Sequence, residues 1–157
     1  MKENITIRNA KLSDIDNIIS LYQGTVRNVN VKDYSPEQID VWAGGADNRQ
    51  RWESAINEQY FVQAEIGGEL AGFSSIAEDG YLDFMYVHKD FQRCGAATAL
   101  LHEIERKAIE QNNKEIYSHV SKTAKGFFEK MGYEHIKDLN DPYKGVIFIN
   151  ALMVKKL

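Results

Sequence analysis

The stretch from Tyr81 to Leu101 limits what this chain can fold into more than any other part of it. It opens as an apolar run, Tyr81 to Val87, in which Asp83 is the one charged residue. It passes through a polar loop, His88 to Arg93, and reaches Gly95, Ala96 and Ala97, where a helix begins. The first N–H groups of a helix have no partner inside it and sit at the positive end of its dipole. Small residues there allow a ligand close to the backbone, so the segment has the makings of a phosphate cradle, with Gln92 adding a donor and Arg93 a positive charge. Small residues at a helix start also serve simply to pack against a sheet, and the residues alone leave that reading open. The segment is not a nucleotide-binding loop, since no Gly-Lys-Ser/Thr and no dinucleotide fingerprint is present.

Around this segment, helix and strand signals alternate. Ile5 to Arg8 has a strand's period of two, and Ser13-Asp14-Ile15-Asp16 reads as a helix start with Ile15, Ile18, Ile19 and Tyr22 on one face. Ser35 at a cap, Pro36 at the first helical position and Gln38 three residues after the cap mark a second helix, ended by Gly44-Gly45. Residues 48–57 form a short third helix. Strands over 60–66 and 70–76 flank Gly67-Gly68-Glu69, and after Asp79-Gly80 a third strand, 81–87, is apolar enough to be central. A helix over 96–111, a strand over 115–120 and a short helix over 123–130 stopped by Gly132 follow. Two closing strands, 133–137 and 146–154, are joined by the turn-rich Asn140-Asp141-Pro142. The expectation is an α/β (α+β) fold, a mixed sheet flanked by helices, in a single domain over 1–157.

A chain of 157 residues with 43% hydrophobic and 27% charged residues buries enough surface to need no disulfide or metal staple. The net charge of −4 argues against nucleic acid or an anionic membrane as partner and leaves room for an amine. Cys94 is the single cysteine and fits a reducing compartment. No leader-like segment opens the chain and no run approaches a membrane span, so a cytoplasmic protein is expected.

Gln92-x-x-Gly95-x-Ala97, preceded by Val87-His88, resembles the Gln/Arg-x-x-Gly-x-Gly/Ala signature of the GNAT superfamily of N-acetyltransferases. Ala124-x-x-Phe127-Phe128-Glu129-Lys130-x-Gly132-Tyr133 resembles that family's second motif. Tyr34-Ser-Pro-Glu-Gln38 with Trp42 resembles a bacterial subgroup of uncharacterised members. The resemblance implies a sheet of six to seven strands whose fourth and fifth strands splay apart around acetyl-CoA. It implies that the pantetheine arm lies against Met85, Tyr86 and Val87, one of whose N–H groups polarises the thioester carbonyl. The pyrophosphate would rest on backbone N–H groups of Arg93, Cys94, Gly95, Ala96, Ala97 and Thr98, with Ser121 and Phe128 flanking the arm. Phe128 stands where many members have a tyrosine that protonates the departing thiolate, so Tyr86, Tyr117, Tyr133 or water would supply that proton, or none is needed.

An amine acceptor, small molecule or peptide, must lose a proton before it attacks. Asp83 and His119 are the candidate bases, with strand parity placing Asp83 on the face of Met85 and Val87. Against this, a carboxylate on a strand is as often structural, and a lone histidine more often packed. Tyr34 and Trp42 lie on helices that would form an aromatic wall for the acceptor. The expected activity is acetyl transfer from acetyl-CoA to a primary amine by direct attack, in a monomer or homodimer without metal. An acyl-CoA sensor of the same fold that does not turn over is the alternative, and a nucleotide-binding α/β protein is a more distant one.

Overall fold

The computed structural model describes residues 4–157. Met1 to Glu3, read above as a start without a leader, lie outside the described residues. Seven strands form two antiparallel sheets. The first has the order β1 (Ile5–Asn9), β2 (Tyr60–Ile66), β3 (Glu69–Ile76), β4 (Leu82–Val87). The second has the order β5 (Glu115–Val120), β7 (Val146–Lys156), β6 (Glu134–Tyr143).

The sheets meet at one end only. Tyr81 and Tyr117 form a parallel bridge, the Tyr117 N–H reaches the Gly80 carbonyl at 3.1 Å, and the Ser118 hydroxyl reaches the Leu82 carbonyl at 2.7 Å. Gly80 makes this junction possible. It sits at φ +93, and a Cβ there would lie 2.6 Å from the Glu115 carbonyl oxygen. Past Leu82 the two strands pair no further, and β4 borders a cleft where a middle strand was expected. Its apolar residues are covered on both faces, while its free backbone edge faces the gap.

Two cores account for that covering. On one face α4 (Ala96–Glu110) lays Leu100, Leu101, Ile104 and Ala108 against Val62, Ala64, Leu82 and Ile116. On the other, α1 (Ile15–Asn28), α2 (Pro36–Ala43) and α3 (Arg49–Glu58) cover an aromatic cluster in which Trp52, 2% exposed, stacks on Phe84 at 4.7 Å. Such a pair is worth about 0.5–1.5 kcal/mol beyond its burial. The remaining helix, α5 (Lys125–Lys130), follows β5.

The Ser35 capping box forms as the sequence suggests, its hydroxyl accepting from the Gln38 N–H at 3.1 Å and its N–H reaching Gln38 Oε1 at 2.9 Å. Gln38 Nε2 then donates to the Ile147 carbonyl at 3.0 Å, which ties α2 to β7. The start of α1 differs from expectation. Asp14, gripped by Arg8 at 2.7 Å, accepts from the Lys11 N–H, so a 3-10 turn over Leu12–Asp14 precedes the helix and Ser13 caps nothing. The second difference is larger. Asn140-Asp141-Pro142 lies inside β6, and the chain turns at Lys144 (φ 48) and Gly145 (φ 79). Pro142 is tolerated because β6 is an edge strand, where a missing N–H leaves no ladder bond unmade.

Candidate active site

The gap between β4 and β5 is a cleft of about 2020 Å³ running from the start of α4 to the second sheet. Its first wall is the free edge of β4. The His88 N–H points to β3, bonding the Ala71 carbonyl at 2.7 Å. The Val87 carbonyl points the other way, accepting from Thr25 Oγ1 at 2.8 Å and Gln92 Nε2 at 2.7 Å. Because backbone groups of a strand alternate in direction, the N–H groups of Met85 and Val87 and the Met85 carbonyl lie along the open edge. Those of Tyr86 face β3, and what Tyr86 brings to the cleft is its ring.

At the end of that edge lies the cradle. Arg93 (φ 60) and Gly95 (φ 88) turn the chain into α4, whose first closed turn is the Ala99 N–H on the Gly95 carbonyl at 3.0 Å. No side chain caps the helix, so the N–H groups of Ala96, Ala97 and Thr98 open into the cleft. A Cβ on Gly95 would meet Ile5 Cδ1 at 3.6 Å, an ordinary contact, so it is the positive φ that favours glycine there. Gln92 holds the loop shut through Val87, and Arg93 is exposed at the mouth. Ser121 and Phe128 line the opposite wall. Cys94 is exposed and lies outside the lining.

At the far end, the second sheet brings together groups from three strands. His119 of β5, 38% exposed, has its Nδ1 at 3.2 Å from Asp141 Oδ2 of β6, and the same oxygen accepts from Asn150 Nδ2 of β7 at 2.9 Å. The edge of the Tyr81 ring abuts His119, with centroids 5.6 Å apart. Burial and the neighbouring carboxylate of Asp83 push the Tyr81 phenol up to about 12.

Asp83 is placed differently from the parity argument. Ser75 pairs with Phe84 but Ile76 pairs with Leu82, so Asp83 is the extra residue of a β-bulge. The bulge breaks the period of two and turns Asp83 away from Met85 and Val87, towards the aromatic side. There Arg51 Nη2 and Gln59 Nε2 donate to its two oxygens at 2.7 and 2.8 Å, and its side chain is 8% exposed. Trp42 lines the cleft and donates from Nε1 to the Tyr86 hydroxyl at 3.1 Å. Tyr34 sits behind it, buried, edge-on to Trp42 at 5.0 Å, its hydroxyl accepting the Lys122 N–H at 2.8 Å.

Comparisons with known proteins agree on the family and on the fold. The family model of the acetyltransferase (GNAT) domain matches residues 30–156. The chain belongs to the GNAT family. It is 31% identical to the uncharacterized N-acetyltransferase YafP of Escherichia coli strain K12, over 96% of this chain and 95% of that protein. Its structure superposes on a GCN5-related N-acetyltransferase from Rhodopseudomonas palustris with TM-score 0.96 at 24% identity, covering 100% and 98% of the two chains. It also superposes on the PaiA N-acetyltransferase of Thermoplasma acidophilum in complex with coenzyme A, with TM-score 0.79 at 20% identity, covering 98% and 99%.

For a GNAT protein, the fate of its tyrosines is informative. Phe128 is 2% exposed and packs edge-on against Tyr133, so no hydroxyl stands there. The Tyr133 hydroxyl donates to Glu105 at 2.8 Å and that of Tyr117 to Asp79 at 2.6 Å. Neither residue lines the cleft; Tyr86 does, and its hydroxyl hydrogen has no acceptor among the described residues. Arg51, Asp141 and Asn150 had no signal in the sequence. Asp141 was hidden by its turn-like neighbours, and Arg51 reaches Asp83 across 32 positions. Among the described residues no group of three or more His, Cys, Asp or Glu is placed to hold a metal ion, and no helix is long and apolar enough to cross a membrane.

Proposed function

We propose that this protein transfers the acetyl group of acetyl-CoA to a primary amine by direct attack within a ternary complex. The observation that carries the proposal is the continuity of the cleft. One open strand edge leads from the free N–H groups of α4 to the His119–Asp141 pair. Acetyl-CoA supplies the activated acyl group and a thiol leaving group. Its pyrophosphate fits the N–H groups of Ala96, Ala97 and Thr98 beside Arg93, and its pantetheine arm fits the edge at Met85 and Val87. A backbone N–H on that edge, held by the strand, donates to the thioester oxygen as charge develops there. Donors of this kind contribute about 3–4 kcal/mol.

His119 is the base in this reading. Asp141 holds the Nδ1 proton, which leaves Nε2 free to take the proton of the attacking amine directly or through one water. Asp83, with a donor on each oxygen, serves to fix Arg51. As the carbon–sulfur bond breaks, the thiolate takes its proton from the Tyr86 hydroxyl or from solvent.

Phe128 favours a second reading, a sensor that binds acyl-CoA without turnover. Release of free thiol from acetyl-CoA across a panel of primary amines tests the choice. Amine-dependent release supports transfer. Binding without release under any amine supports the sensor and overturns the enzyme.

A further inference from the structure

Three of the six arginines each pair with two carboxylates. Arg8 binds both Asp14 and Glu65, Arg49 binds Asp16 and Glu53, and Arg106 binds Glu103 and Glu110. Arg51 is different. It spends one N–H, on Nη2, to reach Asp83 at 2.7 Å, and its guanidinium lies over the Phe84 ring at 4.7 Å. Those two contacts fix the plane of the group. A guanidinium carries five N–H donors in a rigid fork, so the remainder have no acceptor among the described residues. The side chain is 46% exposed, and the surface it exposes lines the acceptor end of the cleft. Arg51, Tyr81 and His119 all line the cleft, and the Tyr81 ring packs against that of His119, so the guanidinium and the imidazole face one cavity. The apolar faces of Trp42, Tyr86 and Phe148 line the same cleft.

We infer that the acceptor is an amino carboxylate with an apolar body, whose carboxylate docks on the free N–H groups of Arg51 while its amine faces His119. A fixed, half-exposed guanidinium is matched by a planar oxyanion, which it holds with two parallel hydrogen bonds. A polyamine would instead bring a second cation to Arg51, and Asp83, paired with Arg51 and with its side chain 8% exposed, leaves little surface to receive one. The inference rests on the acetyl-transfer reading and narrows its acceptor.

The test compares kcat/KM for an apolar amino acid, such as L-phenylalanine or L-methionine, with that for its carboxamide, by thiol release from acetyl-CoA. The amine of the amide is the less basic of the two, and this difference cancels when the acid-to-amide ratio of a variant is divided by that of the wild type. The ratio is expected to fall at least tenfold in Arg51→Gln. It is expected to fall in Arg51→Lys as well, because an ammonium keeps the charge beside Asp83 but loses the fork. The lysine variant also guards against a glutamine variant that fails to fold. Equal ratios in wild type and both variants, with thiol released, overturn this inference alone. An acetyl-CoA-bound protein that releases no thiol with any acceptor overturns acetyl transfer and the inference with it.

Discussion

A histidine on a strand does chemistry or merely packs according to what holds its far nitrogen. In this protein Asp141, itself held by Asn150, sits against Nδ1, and Nε2 has no partner among the described residues. The expected outcome of His119→Ala is a fall in kcat of about 10²–10⁴ with acetyl-CoA affinity unchanged, read by steady-state thiol release beside a binding isotherm. An unchanged kcat would remove His119 as the base. Gly95→Glu should act in the opposite way. At φ 88 any side chain strains the backbone, and a carboxylate would stand near the N–H groups proposed to receive the pyrophosphate. Acetyl-CoA binding by calorimetry should then be lost, and retained affinity would contradict the cradle. A third expectation concerns pH. Donation to Asp79 pushes the Tyr117 phenol up to about 12, above its ordinary value near 10. A raised pKa stabilises the fold fully below pH about 10, and that stabilisation is lost as pH climbs towards 12. The difference in melting temperature between wild type and Tyr117→Phe should therefore shrink from pH 9 to pH 12; a constant difference would contradict it.

Elements were legible in the sequence where local chemistry decided them. The box of Ser35, Pro36 and Gln38 needs no tertiary context, and the spacing of Leu100, Leu101, Ile104 and Ala108 is a helix face in any fold. The β4–loop–α4 unit was legible for the same reason, since strand, loop and small residues follow each other along the chain. Asp83 was misplaced because a bulge is a property of two strands, and period-two counting on one strand does not see it. The turn at Lys144-Gly145 was misplaced because Asn-Asp-Pro is a stronger turn signal, overridden here by the pairing of β6 with β7 along its length. The His119–Asp141–Asn150 group draws on three strands and had no linear trace. At this scale the junction of the two sheets is the sensitive point. Gly80→Ala should cost roughly 1–3 kcal/mol in chemical denaturation, because its Cβ would press on the Glu115 carbonyl. A loss within a few tenths would mean that the bridge at Tyr81 and Tyr117 does not depend on this turn.

At the scale of the whole molecule the protein is two cores on either side of a divided sheet, and the division is the proposed site. The α4 core holds the cradle and the aromatic core holds the acceptor end, so ligand bound along β4 would touch both. The measurement that tests this most directly is the melting temperature of the protein with acetyl-CoA, with CoA and with ATP. Ligand at 100 times its Kd adds about 2.7 kcal/mol of stability, which for a chain of this size is roughly 5–11 °C. A shift of that order with acetyl-CoA and CoA and none with ATP is the predicted result. No shift with millimolar acetyl-CoA, or an equal shift with ATP, would contradict a coenzyme A site in the cleft and the acetyl transfer built on it.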